Sequence, residues 1–356
     1  MNSIKSRIDA FCQQHRLRVP ILQAPMAGAC PPSLAIAVAN AGGLGACGAL
    51  FMQPAEIAAW VAEVRANTQG PFQINLWIPD PEPQRDDQQE AAIRTFLQSW
   101  GPAVPAEAGD ARPPDFVAQC DALLAAAPPI VSSVMGIYPA SFVAQLKARN
   151  ITWFANVSTV AEAKAAECAG ADVIVAQGME AGGHRGCFDA KKAEQNQVGL
   201  FALLPAVVDA VNVPVVATGG IADARGVAAA FMLGASAVQI GTGFLRSPEA
   251  KAHPAWANAL ASTAPEDTTL TRVFSGRAGR SINTAYVRAA MRPDAPTPAP
   301  YPVQRGLTAP MRADAQRSGD VERMQAWAGQ SARLARNIAA GEIVRELWEG
   351  AQKLMP

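Results

Sequence analysis

The chain has 356 residues, half of them apolar and 17% charged, so it can bury a large core and is not a disordered polymer. Thirty basic side chains balance thirty acidic ones, which removes the overall field that draws a protein onto nucleic acid or an anionic membrane and favours a small-molecule partner. No segment stays apolar for about 18 residues and Met1–Pro20 lacks a signal-peptide core, so a cytoplasmic protein without a membrane span is expected.

Short β-rich runs alternate with Ala-rich helical stretches along the chain. In order they are Pro20–Pro25, Leu44–Gly48, Phe72–Trp77, Pro129–Val134, Ile151–Val157, Ala171–Gln177, Pro214–Gly220 and Ser236–Phe244. Eight strands joined by helical crossovers predict a parallel sheet closed into a (β/α)8 TIM barrel. An internal echo agrees: Ala166–Gly178 and Ala230–Gly243 both run helix, Gly-Ala turn, strand, glycine.

Two regions break the rhythm. Residues 79–114 are rich in proline and acid and read as a solvated excursion above the third strand, with the character of a lid. Beyond residue 262 a Pro-rich stretch precedes a helical tail expected over roughly 320–353. The division is thus a barrel over 1–262 with an insertion near 79–114, and a smaller helical subdomain at the barrel mouth over 263–356.

The six cysteines are scattered without a Cys-x-x-Cys pair, which suits reduced thiols and no metal site. His184-x-x-Cys187 has no second ligand pair to complete a zinc centre. Gly43, Gly45 and Gly48 match the dinucleotide pattern, but a helix precedes them and a strand contains them, the reverse of what that pattern needs. Gly42 and Gly43 fit a helix C-terminal turn instead.

The chemistry concentrates where barrel strands end. Gln177–Gly186 (QGMEAGGHRG) is a glycine-rich loop leaving the sixth strand and carries one of only three histidines, His184. Imidazole exchanges protons near neutral pH, and glycines admit a ligand to the backbone; the bland alternative is a solvated loop histidine. Ala217–Gly226 and Gln239–Leu245 leave strands seven and eight, where this fold often holds a phosphate. Gly219, Gly220, Gly241 and Gly243, with Thr242, suit that task. Tight turns are the competing reading for either loop alone. Arg277 and Arg280 are candidate anion contacts whose default is solvent exposure. None of the eight runs contains a lysine, which deprives a Schiff-base aldolase of its nucleophile.

Five segments together resemble a known family. PILQAPMAG at Pro20–Gly28, QGMEAGGHRG, ATGGIADARG, QIGTGF at Gln239–Phe244 and WAGQSA at Trp327–Ala332 look like the motifs of class I nitronate monooxygenases, in family order across nearly the whole chain. The His184 loop is also similar to that of FMN-dependent enoyl-acyl-carrier-protein reductases. Their first motif usually has glycine where Ala24 stands, which favours the former.

The resemblance implies FMN contacts from Ala24, Pro25, Met26 and Asn75, with Gln177, Gly182 and Gly183 beside the isoalloxazine. The phosphate would lie against Gly220 and the segment Gln239, Ile240, Gly241 and Thr242, and His184 would be catalytic. The implied reaction oxidises alkyl nitronates with dioxygen to carbonyl compounds and nitrite. Nitroalkanes as substrates and homo-oligomer formation stay open. An FMN- and NAD(P)H-dependent enoyl or quinone reductase is the alternative, followed by a flavin-free phosphate-binding isomerase or aldolase. Ala29 and Cys30 depart from the usual continuation of the first motif.

Overall fold

The computed structural model describes residues 4–356. Strands β1 (Ile21–Gln23), β2 (Gly45–Gly48), β3 (Phe72–Trp77), β4 (Ile130–Val134), β5 (Thr152–Val157) and β6 (Val173–Gln177) belong to one parallel sheet. A two-residue strand outside it, β7 (Gly183–His184), comes next, and β8 (Val215–Thr218) and β9 (Ala237–Ile240) complete the eight. The hydrogen-bonded order is β1-β9-β8-β6-β5-β4-β3-β2, and a parallel bridge between Leu22 and Leu44 closes β1 onto β2. The chain is a (β/α)8 barrel, and each of the eight expected runs contains one strand.

Helix α1 (Ile4–His15) precedes the barrel. The crossovers are α2 (Pro32–Asn40), α3 (Pro54–Asn67), α4 (Asp87–Leu97) and α5 (Phe116–Ala126) in one long connection, α6 (Ala140–Ala148), α7 (Val160–Cys168), α8 (Leu200–Val208) and α9 (Ala224–Met232). Several start on a side-chain cap: Asp86, Asp115, Thr159 and Asp223 each accept N–H groups of the first turn. The echoed turns after α7 and α9 have their glycines, Gly170 and Gly234, at φ +97° and +106°, a conformation that L side chains rarely adopt. Strand β6 is buried at every residue, as a strand covered on both faces must be.

Helix α1 buries Ile8, Phe11 and His15. Phe11 packs with Leu22, Leu44, Ile130, Phe154 and Val173 near the strand starts, so α1 plugs the N-terminal end of the barrel.

After β9 come α10 (Pro254–Ser262), the antiparallel strands β10 (Thr268–Thr271) and β11 (Gly279–Ile282), then α11 (Ala285–Ala290), α12 (Val303–Leu307), α13 (Ala309–Ser318) and α14 (Ala340–Gln352). The insertion and this segment share a second core: Ile93 and Leu97 of α4 pack with Phe274, Tyr286, Val303, Leu307 and Met311. The insertion is therefore seated on the C-terminal segment and is not a free excursion. Helix α14 lies back against the barrel beside α9 and α2, burying Ile343, Val344 and Leu347. The expected helix over roughly 320–353 is realised only in its last third. Residues 321–339 form an irregular strap whose backbone is held by the barrel loops and β11.

Candidate active site

A cavity of about 440 Å³ opens at the C-terminal ends of the strands, where connecting loops of this fold converge. Its walls come from the loops after β1, β2, β6, β8 and β9, from α12 and α13, and from the strap.

His184 reaches this cavity because its loop doubles back. After β6 the chain forms β7, which pairs antiparallel with Gly279 and Arg280 of β11. The side-chain amide of Gln177 holds the same turn, donating to the His184 carbonyl at 3.2 Å and accepting the Gly186 N–H at 2.7 Å. The imidazole packs against Trp77 and Trp327, with ring centres 4.8 and 4.9 Å away, and its Nε2 lies 2.8 Å from Ser275 Oγ. Burial, with the guanidinium groups of Arg277 and Arg305 nearby, pushes its pKa down to about 3, so the ring is neutral over the physiological range.

The strap approaches closely because glycines allow it. A Cβ on Gly182 would lie 2.5 Å from the Gly329 nitrogen, and one on Gly279 would lie 2.9 Å from the Trp327 ring. The Gly329 N–H donates to Thr242 Oγ1 at 3.0 Å and the Gln330 N–H to the Glu180 carbonyl at 2.9 Å.

Both sequence-candidate arginines are buried, against the expectation of solvent exposure: Arg277 is 1% and Arg280 5% exposed. Arg277 pairs with Asp80, donates to the Cys187 carbonyl and lies over the Trp77 ring. Arg280 donates to the Met179 and Thr268 carbonyls and to Thr268 Oγ1. A guanidinium stays charged, so burial demands partners, and these two find them in loops of the site.

Of the fourteen residues singled out from sequence for catalysis or cofactor binding, the cavity wall holds Ala24, Pro25, Met26, Asn75, Gln177, Gly182, Gly183, His184, Gly219, Gly220, Gln239, Gly241 and Thr242. Ile240 stands apart. Alternation along β9 turns Gln239 toward the cavity and Ile240 into the core, 1% exposed, with its carbonyl accepting the Ala24 N–H. Sequence reasoning missed Trp77, Asn156, Trp256, Arg305 and Arg312 on this wall and Ser275 behind His184. Trp77 and Asn156 end strands already identified, so strand-end polarity and aromaticity were available signals. Arg305, Arg312 and Ser275 come from the elaboration and had none.

Compared with known proteins, residues 9–350 match the family model described as nitronate monooxygenase. A probable nitronate monooxygenase of Staphylococcus aureus (strain Newman) is 35% identical over 350 residues, 98% of each chain. Among solved structures, nitroalkane oxidase from Streptomyces ansochromogenes superposes with a TM-score of 0.85 at 35% identity, covering 95% of this chain and 96% of that one. FabK from Thermotoga maritima follows at 0.72 and 29% identity, covering 97% and 96%.

Proposed function

This chain belongs to the nitronate monooxygenase family, and from that premise we propose that it uses FMN to oxidise alkyl nitronates with dioxygen, yielding a carbonyl compound and nitrite. The observation that carries this reading is the charge of the cavity. Its wall includes Arg305, Arg312 and His184 but no carboxylate among the described residues. A nitronate is an anion, and a partly desolvated cavity with unopposed guanidinium groups favours an anion over a neutral isostere.

The loops after β8 and β9 fit the phosphate of FMN. Gly219 and Gly220 take φ of +112° and +70°, and their amides meet no acceptor among the described residues. Thr242 Oγ1 accepts from Gly329, which leaves its own proton to donate. Gln239 and Gly241 line the same wall as Thr242, while Ala24, Pro25, Met26, Asn75, Gln177, Gly182 and Gly183 would border the ring system. Gly183 offers open space beside its α-carbon. Ile240 is left out of this set.

When bound, FMN supplies the electron transfer between substrate and dioxygen. The chain's own residues do the rest. Arg305 and Arg312 hold the anion, Trp77 and Trp327 exclude water on either side of His184, and neutral His184 is available to take a proton. All six cysteines are free and no helix among the described residues is long and apolar enough to cross a membrane; we place the protein in the cytoplasm.

The test is direct. Flavin released by denaturing the purified protein should run as FMN on chromatography, and an oxygen electrode should record uptake with ethyl nitronate and little turnover of NADH or NADPH. Rapid NADH-dependent reduction of an enoyl thioester, with no nitronate-dependent uptake, would assign the chain to the reductases instead.

A further inference from the structure

The 2.8 Å contact between Ser275 Oγ and His184 Nε2 has a direction, which the hydrogen count around that oxygen decides. A serine hydroxyl has one proton and two lone pairs. Ser275 donates its proton to the Arg277 carbonyl at 3.1 Å and accepts the Arg277 N–H at 3.3 Å. That carbonyl has no other donor among the described residues and belongs to a residue 1% exposed, so withdrawing the Ser275 proton would strand a buried acceptor. The lone pair that remains on Oγ takes a proton from His184 Nε2. A neutral imidazole carries one N–H, so Nδ1 is bare. Among the described residues Nδ1 has no hydrogen-bond partner, and His184 lines the cavity.

The serine is held to this task from both sides. Thr308 Oγ1 donates to the Phe274 carbonyl at 2.6 Å. Gly276 takes φ of +85°, and a Cβ there would lie 2.4 Å from the Ala299 carbonyl oxygen. The loop therefore has little freedom to re-aim the hydroxyl.

We propose that Ser275 is a positioning residue that fixes His184 as the Nε2–H tautomer and presents Nδ1 to the cavity as the proton acceptor for the α-carbon of a neutral nitroalkane. In that step the α C–H bond breaks, the proton moves to Nδ1, and the electron pair stays on the substrate, delocalised over the nitro oxygens. A neutral pair becomes an imidazolium and a nitronate, the anion for which the arginine-lined cavity is suited. The substrate named here rests on the nitronate reading above; the tautomer does not.

Nitrogen NMR on isotope-labelled, FMN-loaded protein tests it, because with three histidines in the chain the His184 signals can be assigned by their loss in His184→Asn. The expected spectrum shows a protonated Nε2 and a bare Nδ1. Ser275→Ala should move both nitrogens toward averaged positions, while Ser275→Thr keeps the hydroxyl and the tautomer. In steady state Ser275→Ala should lose roughly 10²-fold in kcat/KM with nitroethane, the lower end of what a positioned base contributes, and much less with ethyl nitronate. A protonated Nδ1 in the unaltered protein, which needs no variant to fold, overturns the proposal, as does an unchanged tautomer in Ser275→Ala. Absence of nitronate turnover by the unaltered enzyme would instead overturn the substrate reading and leave the tautomer result standing.

Discussion

The imidazole of His184 lies 4.9 Å from the indole of Trp327, ring centre to ring centre, which joins the connection after β6 to the strap that precedes the last helix. Trp327 also meets Phe274 edge-on at 5.9 Å, and its carbonyl accepts the Trp256 Nε1–H at 3.0 Å. One tryptophan thus links His184, the second hydrophobic core and the cavity rim.

Truncating that tryptophan should be felt first at the histidine. Trp327→Ala removes part of the apolar enclosure that depresses His184, so its pKa should rise from about 3 toward its ordinary 6.5. The side chain is half-buried, and stability should fall by about 2 kcal/mol, below the range for fully buried aromatics. Titration by NMR and a denaturant melt read the two effects separately.

Asp80 follows β3 and pairs with Arg277, whose side chain is 1% exposed. Asp80→Ala would leave a buried guanidinium without its carboxylate, and removing one partner of such a pair costs about 3 kcal/mol or more. The variant should unfold at markedly lower denaturant than a control at exposed Asp294, where loss should be within about 0.5 kcal/mol.

These contacts mark the limit of what the sequence could tell. Period and spacing revealed the eight strands and the glycine loops at their ends, because a closed parallel sheet imposes local rules at every crossover. Helix α1 was also legible in the spacing of Ile8, Phe11 and His15, which puts them on one face. The strap was not: WAGQSA could be matched as a motif, but no local rule says that an irregular segment will lie on Gly182 and Gly279. Arg277 looked like an ordinary surface arginine because Asp80, its partner, is far away in sequence. Side chains brought in by the elaboration depend on tertiary packing alone.

His15 gives a pH dependence of folding. Its ring is 6% exposed between Phe11 and Phe154, and burial lowers its pKa from 6.5 to about 4 against the opposing pull of Asp172. Between those values the unfolded chain binds more protons than the fold, so stability should fall as pH drops from 6.5 toward 4, by up to about 3 kcal/mol. His15→Phe should flatten that part of the curve, as measured by urea midpoints at a series of pH values.

Among the described residues the Arg305 guanidinium has no hydrogen-bond acceptor, and it rests over the Phe51 ring, 3.9 Å from its centre. Because that single contact is modest, about 0.5–2 kcal/mol, Arg305→Met should keep the fold. A lost charge-assisted contact to the nitronate should raise KM about tenfold or more with a smaller effect on kcat. Withdrawing this cation should also raise the His184 pKa. Steady-state kinetics at low and high salt checks the assignment: the ratio of KM values should shrink as salt screens the guanidinium.

His184 itself separates the two substrate forms. A neutral nitroalkane must give up its α-proton before oxidation, whereas a preformed nitronate needs only binding and electron transfer. His184→Asn should therefore lose on the order of 10²–10⁴-fold in kcat/KM with nitroethane, the usual contribution of a general base, and far less with ethyl nitronate. Flavin content should survive, since Gly219, Gly220 and Thr242 lie on other loops. The pH profile gives an independent sign. With the histidine held down to about 3 in the free enzyme, its basic form persists through the neutral range. The nitroethane kcat/KM should then show no histidine-dependent loss near pH 6.5 and should decline only as pH approaches about 3, insofar as the fold persists. Equal, small losses on both substrates would make His184 a structural residue of the loop. A limb near 6.5 in the nitroethane kcat/KM of the unaltered enzyme, absent from nitronate turnover, would mean that bound FMN restores the basicity that the tryptophans and arginines remove.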